Sequence, residues 1–196
     1  MGIDVSHFQG DVAWATVAQS GVQFAYAKAT DGITFTDPRF GANLSGARAA
    51  GLKVGAYHFF EPGDDPVKQA EHFLSVAKTQ SGDLPPVLDL EVSPTGSDSP
   101  LAQTALAWLQ HVEKSTGCKP IIYASPAFFN AHLGDGFDGY RLYLADYSRT
   151  PVLPNAAGPM VLWQHSQTGS VQGVHGHVDL DTYMTPGDDL SDLVCP

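Results

Sequence analysis

The sequence alternates between short apolar runs and longer helix-forming stretches through roughly its first two thirds, and this alternation strongly limits the possible folds. Three of the helix-forming stretches begin with a polar residue followed by proline: Asp37-Pro38, Asp65-Pro66 and Ser99-Pro100. Asp and Ser are favourable N-cap residues, and proline fits the first helical turn because its missing N–H is not needed there. Strands that alternate with helices build a parallel sheet covered by helices. An α/β fold is therefore expected.

Eight strands are predicted, at 2–6, 22–29, 53–60, 86–91, 119–124, 141–146, 160–166 and 175–181. Four longer helices are predicted, at 11–20, 37–51, 65–80 and 99–116, with a short one at 127–133. In the last third, Pro, Gly and Asn fill the connections instead of helices. The pattern predicts an irregular TIM-like (β/α) barrel whose helices lie mostly in the first two thirds.

Composition places the chain among globular proteins and excludes several classes of function. With 196 residues, 43% hydrophobic and 16% charged, we expect one domain over 1–196, with a C-terminal tail from about residue 185. The net charge of −11 argues against nucleic acid as a partner. Since no apolar run reaches the ~20 residues of a membrane span, no membrane insertion is expected. We expect the protein to be a monomer. No signal peptide is visible in the sequence, so we expect that export information lies elsewhere or that release uses another route.

The cysteines and histidines leave two questions open. Cys118 and Cys195 could form a bridge that ties the tail to the body, or they could be two unrelated thiols. His165, His175 and His177 suggest a metal, but His175 and His177 alternate on one strand without a clear third ligand. We therefore expect no metal and no cofactor.

Two carboxylates follow the apolar residues Val87 and Leu88 in the predicted fourth strand. Asp89 and Glu91 are two residues apart, so they point to the same face at a spacing of roughly 6.5 Å. Such a pair can be a solvated strand end. Beside a buried strand, however, desolvation and mutual repulsion raise at least one pKa. A carboxyl group that stays protonated near neutral pH can act as a general acid.

In a closed barrel the carboxyl ends of the strands converge on one rim, where barrel enzymes keep their catalytic groups. The polar and aromatic residues at these predicted ends are Asp4, Lys28, Asp31, Tyr57, His58, Phe59, Asp89, Glu91, Tyr123, Ser125, Tyr143, Asp146, Gln164, His165, Asp179 and Asp181. Acids and aromatics suit a carbohydrate, because sugar rings stack on aromatic faces while carboxylates bind hydroxyls and perform acid catalysis. Alternatively, the aromatics belong to the core, Lys28 forms an ion pair, and Asp31 and Asp146 cap loops.

Taken together, several short motifs in a fixed order resemble glycoside hydrolase family 25, the Chalaropsis-type lysozymes, over nearly the whole chain. They are Gly2-Ile3-Asp4-Val5-Ser6-His7-Phe8-Gln9-Gly10, Lys28-Ala29-Thr30-Asp31-Gly32, Tyr57-His58-Phe59, Asp89-Leu90-Glu91, Ile122-Tyr123-Ala124-Ser125, Leu144-Ala145-Asp146-Tyr147, Leu162-Trp163-Gln164 and Val178-Asp179-Leu180-Asp181. The resemblance implies an irregular barrel that hydrolyses the β-1,4 bond between N-acetylmuramic acid and N-acetylglucosamine. Its partner would be the glycan strands of peptidoglycan, at the cell wall, in the periplasm or outside the cell.

The resemblance also implies roles for individual residues. Glu91 resembles the general acid, and Asp89 the anion that stabilises the reacting centre, with the substrate acetamido group as internal nucleophile. Asp4 and Asp179 would complete the acidic cluster, keep Glu91 protonated, and hold substrate or water. The expected substrate-binding residues are Tyr57, Phe59, Tyr123, Ser125, Tyr143, Asp146, Gln164 and Asp181.

The chain departs from the family pattern at three positions. Asp31 stands where Glu is usual, Tyr143 where Trp is frequent, and Asp181 where Asn is frequent, so that either Asp179 or Asp181 could belong to the cluster; we favour Asp179. Two other functions remain open: a chitin-type glycosidase with the same acid pair, and a carbohydrate-binding barrel without activity.

Overall fold

The computed structural model describes residues 1–93, 101–184 and 190–196. The strands within these ranges are β1 Gly2–Val5, β2 Phe24–Asp31, β3 Phe35–Thr36, β4 Lys53–Phe59, β5 Val87–Asp89, β6 Ile121–Ala124, β7 Arg141–Ala145, β8 Met160–Gly169 and β9 Val178–Tyr183. Eight of them close into a barrel in the order β1-β9-β8-β7-β6-β5-β4-β2, and a pairing between β1 and β2 completes the circle. The two-residue strand β3 pairs with β2 outside this circle. The predicted irregular α/β barrel is confirmed.

The last strand of the barrel, β9, runs antiparallel to both of its neighbours, β8 and β1. The other pairs of adjacent barrel strands in the described residues are parallel. The prediction that β9 brings its carboxyl end to the catalytic rim is therefore wrong. Its beginning lies at that rim instead, because an antiparallel strand enters where its parallel neighbours end.

Five α-helices lie in the described ranges: α1 Trp14–Gln19, α2 Phe40–Ala49, α3 Pro66–Ala77, α4 Leu101–Thr116 and α5 Pro126–His132. Asp65 caps α3 as predicted, since its side chain accepts hydrogen bonds from the backbone of the first helical turn. The predicted start of α2 at Asp37 is wrong, because the helix begins at Phe40 with Arg39 as its N-cap. The Asp37 carboxylate accepts hydrogen bonds from the backbone N–H groups of Arg39 and His7. The predicted helix start at 99–100 lies outside the described residues, as do the turn residues 94–97.

The hydrophobic residues form two cores, one between the barrel and the helices and one inside the barrel. The inner core contains Phe24, Tyr26, Leu84, Val87, Ile121, Tyr123, Tyr143, Ala145, Val161, Leu162, Leu190 and Leu193. Gly55 permits this packing, because a Cβ atom there would lie 2.2 Å from the ring of Tyr26. These rings and aliphatic side chains fill the barrel below the rim, so that a ligand must bind at the rim.

Residues 190–196 close the end of the barrel opposite the rim formed by the carboxyl ends of the parallel strands. Leu190 and Leu193 enter the inner core, and Cys195 exchanges backbone hydrogen bonds with Gly82 and Asp83, before β5. A disulfide joins Cys195 to Cys118, which settles the pairing that the sequence left open. The predicted tail boundary near residue 185 lies outside the described residues. No helix in the described ranges combines the length and apolar character needed to cross a membrane.

Candidate active site

Three adjoining cavities form a groove across the rim, with volumes of about 190, 170 and 230 Å³. Glu91 lines all three. The central cavity shares Asp4, Tyr57, Asp89 and Asp179 with the 190 Å³ cavity. It shares Tyr123, Tyr147 and Gln167 with the 230 Å³ cavity. The side chain of Glu91 is therefore exposed to the middle of a continuous groove.

Strand register brings four carboxyl groups into this groove as two pairs. Asp4 of β1 lies opposite Asp179 of β9 in the antiparallel ladder. Asp89 ends β5, and Glu91 follows two residues later. In each pair one carboxyl group lies deeper than the other. Asp89 is only 6% exposed, whereas Glu91 is exposed. Asp4 lies inside β1, whereas Asp179 lies near the start of β9.

The deeper member of each pair favours its protonated form. Burial, the charge of Glu91 and a hydrogen bond with Glu91 raise the pKa of Asp89 well above its usual range. Burial and the charges of Asp181 and Asp179 raise the pKa of Asp4 in the same way. This confirms the prediction that crowding raises at least one pKa in the Asp89–Glu91 pair. Burial also raises the pKa of Asp179, although its hydrogen bond with Asp4 opposes that shift.

Gln164 connects the acidic cluster to the groove rim. Its Oε1 accepts hydrogen bonds from the hydroxyls of Tyr123 at 2.8 Å and Tyr147 at 2.7 Å. Its Nε2 donates to Oδ2 of Asp4 at 2.8 Å, and the Tyr143 hydroxyl donates to the same oxygen at 3.2 Å. Oδ2 of Asp4 already accepts two hydrogen bonds, so when Asp4 is protonated its proton lies on Oδ1.

Ten of the predicted catalytic and substrate-binding residues line the groove: Asp4, Tyr57, Phe59, Asp89, Glu91, Tyr123, Ser125, Tyr143, Gln164 and Asp179. Ser125 also caps α5 by accepting a hydrogen bond from the Phe128 N–H. Polar and aromatic residues that line the groove but were not among the predicted site residues include Tyr147, Gln167, Tyr26, Phe8 and Gln9. Tyr147 follows the end of β7, and Gln167 lies in the part of β8 beyond its predicted end, so a longer strand would have included it.

Asp146 lies outside the groove and does not act there as a substrate-binding residue. Its carboxylate accepts hydrogen bonds from the N–H groups of Ser148 at 2.9 Å and Val152 at 2.8 Å. Burial acts to raise the pKa of Asp146, but the bonds from Val152 and Ser148 outweigh burial and lower it. The structure thus favours the alternative that Asp146 caps a loop.

Asp181 also lies outside the groove, and its expected substrate-binding role is corrected. The residue is 0% exposed, and its carboxylate oxygens have no hydrogen-bond partner within bonding distance in the described part of the chain. It shares a face with Asp179, but β9 descends from the rim, so Asp181 lies deeper and pairs with Gly2. Burial, then the charge of Asp179, raise the pKa of Asp181 to about 8, against the opposing effect of the Tyr143 hydroxyl.

Lys28 forms the ion pair expected as its alternative role. Its Nζ lies 2.7 Å from Oδ2 of Asp31 and 4.4 Å from the centre of the Phe59 ring. Among the described residues, no group of three His, Cys, Asp or Glu side chains could hold a metal ion.

A barrel whose rim groove is centred on paired carboxyl groups is typical of glycoside hydrolases. The family model of glycosyl hydrolases family 25 matches residues 3–174. The chain therefore belongs to this family and is a glycoside hydrolase.

Individual proteins agree with this assignment. Lysozyme M1 of Streptomyces globisporus is 35% identical, and the match covers 93% of this chain and 67% of that protein. Uncharacterized protein YegX of Escherichia coli K12 is 39% identical, with 98% and 72% covered. The crystal structure of the bacterial lysozyme from Streptomyces coelicolor has a TM-score of 0.87 at 32% identity, covering 95% of this chain and 92% of that one.

Proposed function

We propose that this chain is a lysozyme that hydrolyses the β-1,4 bond between N-acetylmuramic acid and N-acetylglucosamine in peptidoglycan. Membership of glycosyl hydrolases family 25 and the similarity to Lysozyme M1 support the reaction class. The observation that carries the residue roles is the pair of carboxyl groups in which Asp89 is buried and Glu91 is exposed to the groove. The Cys118–Cys195 disulfide fits an enzyme that acts outside the cytoplasm, where oxidising conditions preserve such bonds.

Glu91 is the general acid of the proposed reaction. Before substrate binds, Asp89 holds the proton of the pair, because burial favours its neutral form. The proton passes from Asp89 to Glu91 and then to the glycosidic oxygen as the bond from that oxygen to the anomeric carbon breaks. Asp89 is left as the anion that stabilises positive charge at the reacting centre and orients the substrate acetamido group. The acetamido oxygen forms the new bond to the anomeric carbon.

Water then completes the hydrolysis. Glu91, which has lost its proton, takes one from the water that attacks the anomeric carbon, so the bond to the acetamido oxygen breaks and the acid is restored. The second pair, Asp4 and Asp179, holds the sugar or this water. Gln164 and Tyr143 fix Asp4 through its Oδ2, which leaves Oδ1 free to donate toward Asp179.

The variant Glu91→Gln tests the acid assignment. We expect a loss of peptidoglycan hydrolysis of roughly 10²-fold or more, because the amide cannot donate a catalytic proton. The melting temperature should stay near that of the wild type, since the side chain is exposed. Glu71→Gln, an exposed position on α3, is the matched control and should retain full activity.

Mass spectrometry of the products from a defined peptidoglycan measures the outcome. Fragments with a new reducing N-acetylmuramic acid end support the proposal, and undiminished hydrolysis by Glu91→Gln refutes the role of Glu91. Cleavage of chitin oligomers but not of peptidoglycan would make the enzyme a chitin-type glycosidase. Binding of muropeptides without any new reducing ends would make it a carbohydrate-binding barrel.

A further inference from the structure

Phe8 is the most exposed large hydrophobic side chain among the described residues, at 82% exposure. It lines the 190 Å³ cavity together with Asp89, Glu91 and Asp179, so it stands at one end of the groove that contains the acids. An isolated exposed aromatic residue needs no explanation. A phenyl ring that is exposed to the groove of a glycoside hydrolase offers a flat apolar face to whatever occupies that groove.

The backbone holds Phe8 in a fixed position. The residue lies in the 3-10 turn His7–Gln9, which begins with a reciprocal capping box between Ser6 and Gln9. Backbone N–H of Ser6 donates to Oε1 of Gln9 at 2.8 Å. Backbone N–H of His7 donates to the carboxylate of Asp37 at 2.9 Å. Because these bonds fix the turn, little conformational entropy of the backbone would be lost when a ligand binds to the ring.

Other aromatic rings extend this apolar face. The centre of the His7 ring lies 4.2 Å from that of the Phe8 ring and 5.6 Å from that of the Phe35 ring. Nδ1 of His7 is 2.8 Å from Oδ2 of Asp37, and this contact orients the imidazole. Phe59 stands in the same cavity, with Lys28 above its ring. The cavity thus combines aromatic faces with charged groups that can bind hydroxyls.

We propose that Phe8 forms an outer sugar-binding subsite, on which a ring of the glycan strand stacks beyond the bond that is cleaved. This inference rests on the proposed function, because the occupant is the strand that lies across Glu91. The continuity of the 190 Å³ cavity with the central one favours that occupant. A sugar ring suits the site because its C–H faces pack on aromatic rings while its hydroxyls meet the carboxylates.

Four variants test the subsite. Phe8→Ala and Phe8→Leu should lower kcat/KM on long, uncrosslinked peptidoglycan glycan strands by roughly 3- to 10-fold, mainly through KM. Phe8→Trp should retain or improve the wild-type value, because it keeps an aromatic face. Leu153→Ala removes a side chain that is 55% exposed outside the three cavities, and it should have no effect. Equal values for Phe8→Ala and the wild type on long strands would overturn the subsite.

Binding measurements separate failure of the subsite from failure of the proposed function. Isothermal titration of chitohexaose and of purified glycan strands is carried out with Glu91→Gln and with Glu91→Gln/Phe8→Ala. A weaker affinity of the double variant supports the subsite even if the wild type hydrolyses no peptidoglycan. Equal affinities refute the subsite even if hydrolysis is normal, and a lack of binding to either probe refutes it as well.

Discussion

Replacement of Asp181 by asparagine should stabilise the protein, and the gain should grow with pH. The folded state raises the pKa of Asp181 to about 8 from its ordinary 3.8. An acid with a raised pKa binds its proton more tightly in the folded state, so it contributes no penalty below the unfolded pKa. The penalty appears as the pH rises above 3.8 and is complete above about 8.

The size of the effect follows from these two pKa values. At pH 7 the carboxyl group destabilises the fold by about 4 kcal/mol, and at pH 5 by about 2 kcal/mol. The amide side chain introduced by Asp181→Asn would be neutral throughout, and it has almost the same shape as the protonated acid. The carboxylate oxygens of Asp181 lack hydrogen-bond partners within bonding distance, and the amide that replaces them would have the same surroundings. The free-energy cost of these unpaired polar atoms therefore cancels when the variant is compared with the wild type.

Urea denaturation at pH 4.5, 6 and 7.5 measures this prediction through the difference in the free energy of unfolding between Asp181→Asn and the wild type. The difference should increase at each step. Asp135→Asn, at an exposed position, is the control and should show little change with pH. A constant difference across the three pH values, or a variant that is less stable at pH 7.5, would refute the inference that burial raises the pKa of Asp181.

Two further perturbations test other parts of the molecule. The double variant Cys118→Ser/Cys195→Ser removes a disulfide that spans 77 residues. Loop-closure entropy predicts that the free energy of unfolding, measured with urea, falls by about 4.5 kcal/mol. An unchanged urea midpoint would contradict this value. Gln164→Leu removes a hydrogen bond that lowers the pKa of Asp4. Its kcat should fall roughly 10-fold and its pH–rate profile should move, whereas an unshifted profile would argue against a positioning role.

Much of the barrel was predictable because its parallel strands and helices carry local signals. Each of the eight predicted strands overlaps a strand of the barrel, and Asp65 caps α3 as its sequence context indicates. Helix α2 begins three residues later than Asp37, which was its predicted start; one carboxylate oxygen of Asp37 binds the Arg39 N–H, and the other binds His7, 30 residues earlier. A local pattern does not contain such a long-range partner.

The alternation of side chains along a strand could not decide whether Asp179 or Asp181 reaches the groove. Residues two apart share a face whichever way the strand runs, so the pattern places both acids inside the barrel. Only the direction of β9 decides which one reaches the rim, and that direction depends on pairing with β8 and β1. Asp179 reaches the groove, whereas Asp181 lies one layer below it.

Depth also decides which carboxyl of a pair holds the proton. Sequence reasoning could pair Asp89 with Glu91, but it assigned the proton to Glu91. In the structure Asp89 belongs to β5 and is buried, while Glu91 lies beyond the strand and faces the groove. Because burial raises the pKa of Asp89, the mechanism that we propose keeps the proton on Asp89 until Glu91 delivers it to the substrate. Substitutions that admit water to the buried side of Asp89 should therefore lower its pKa and release the proton before substrate binds.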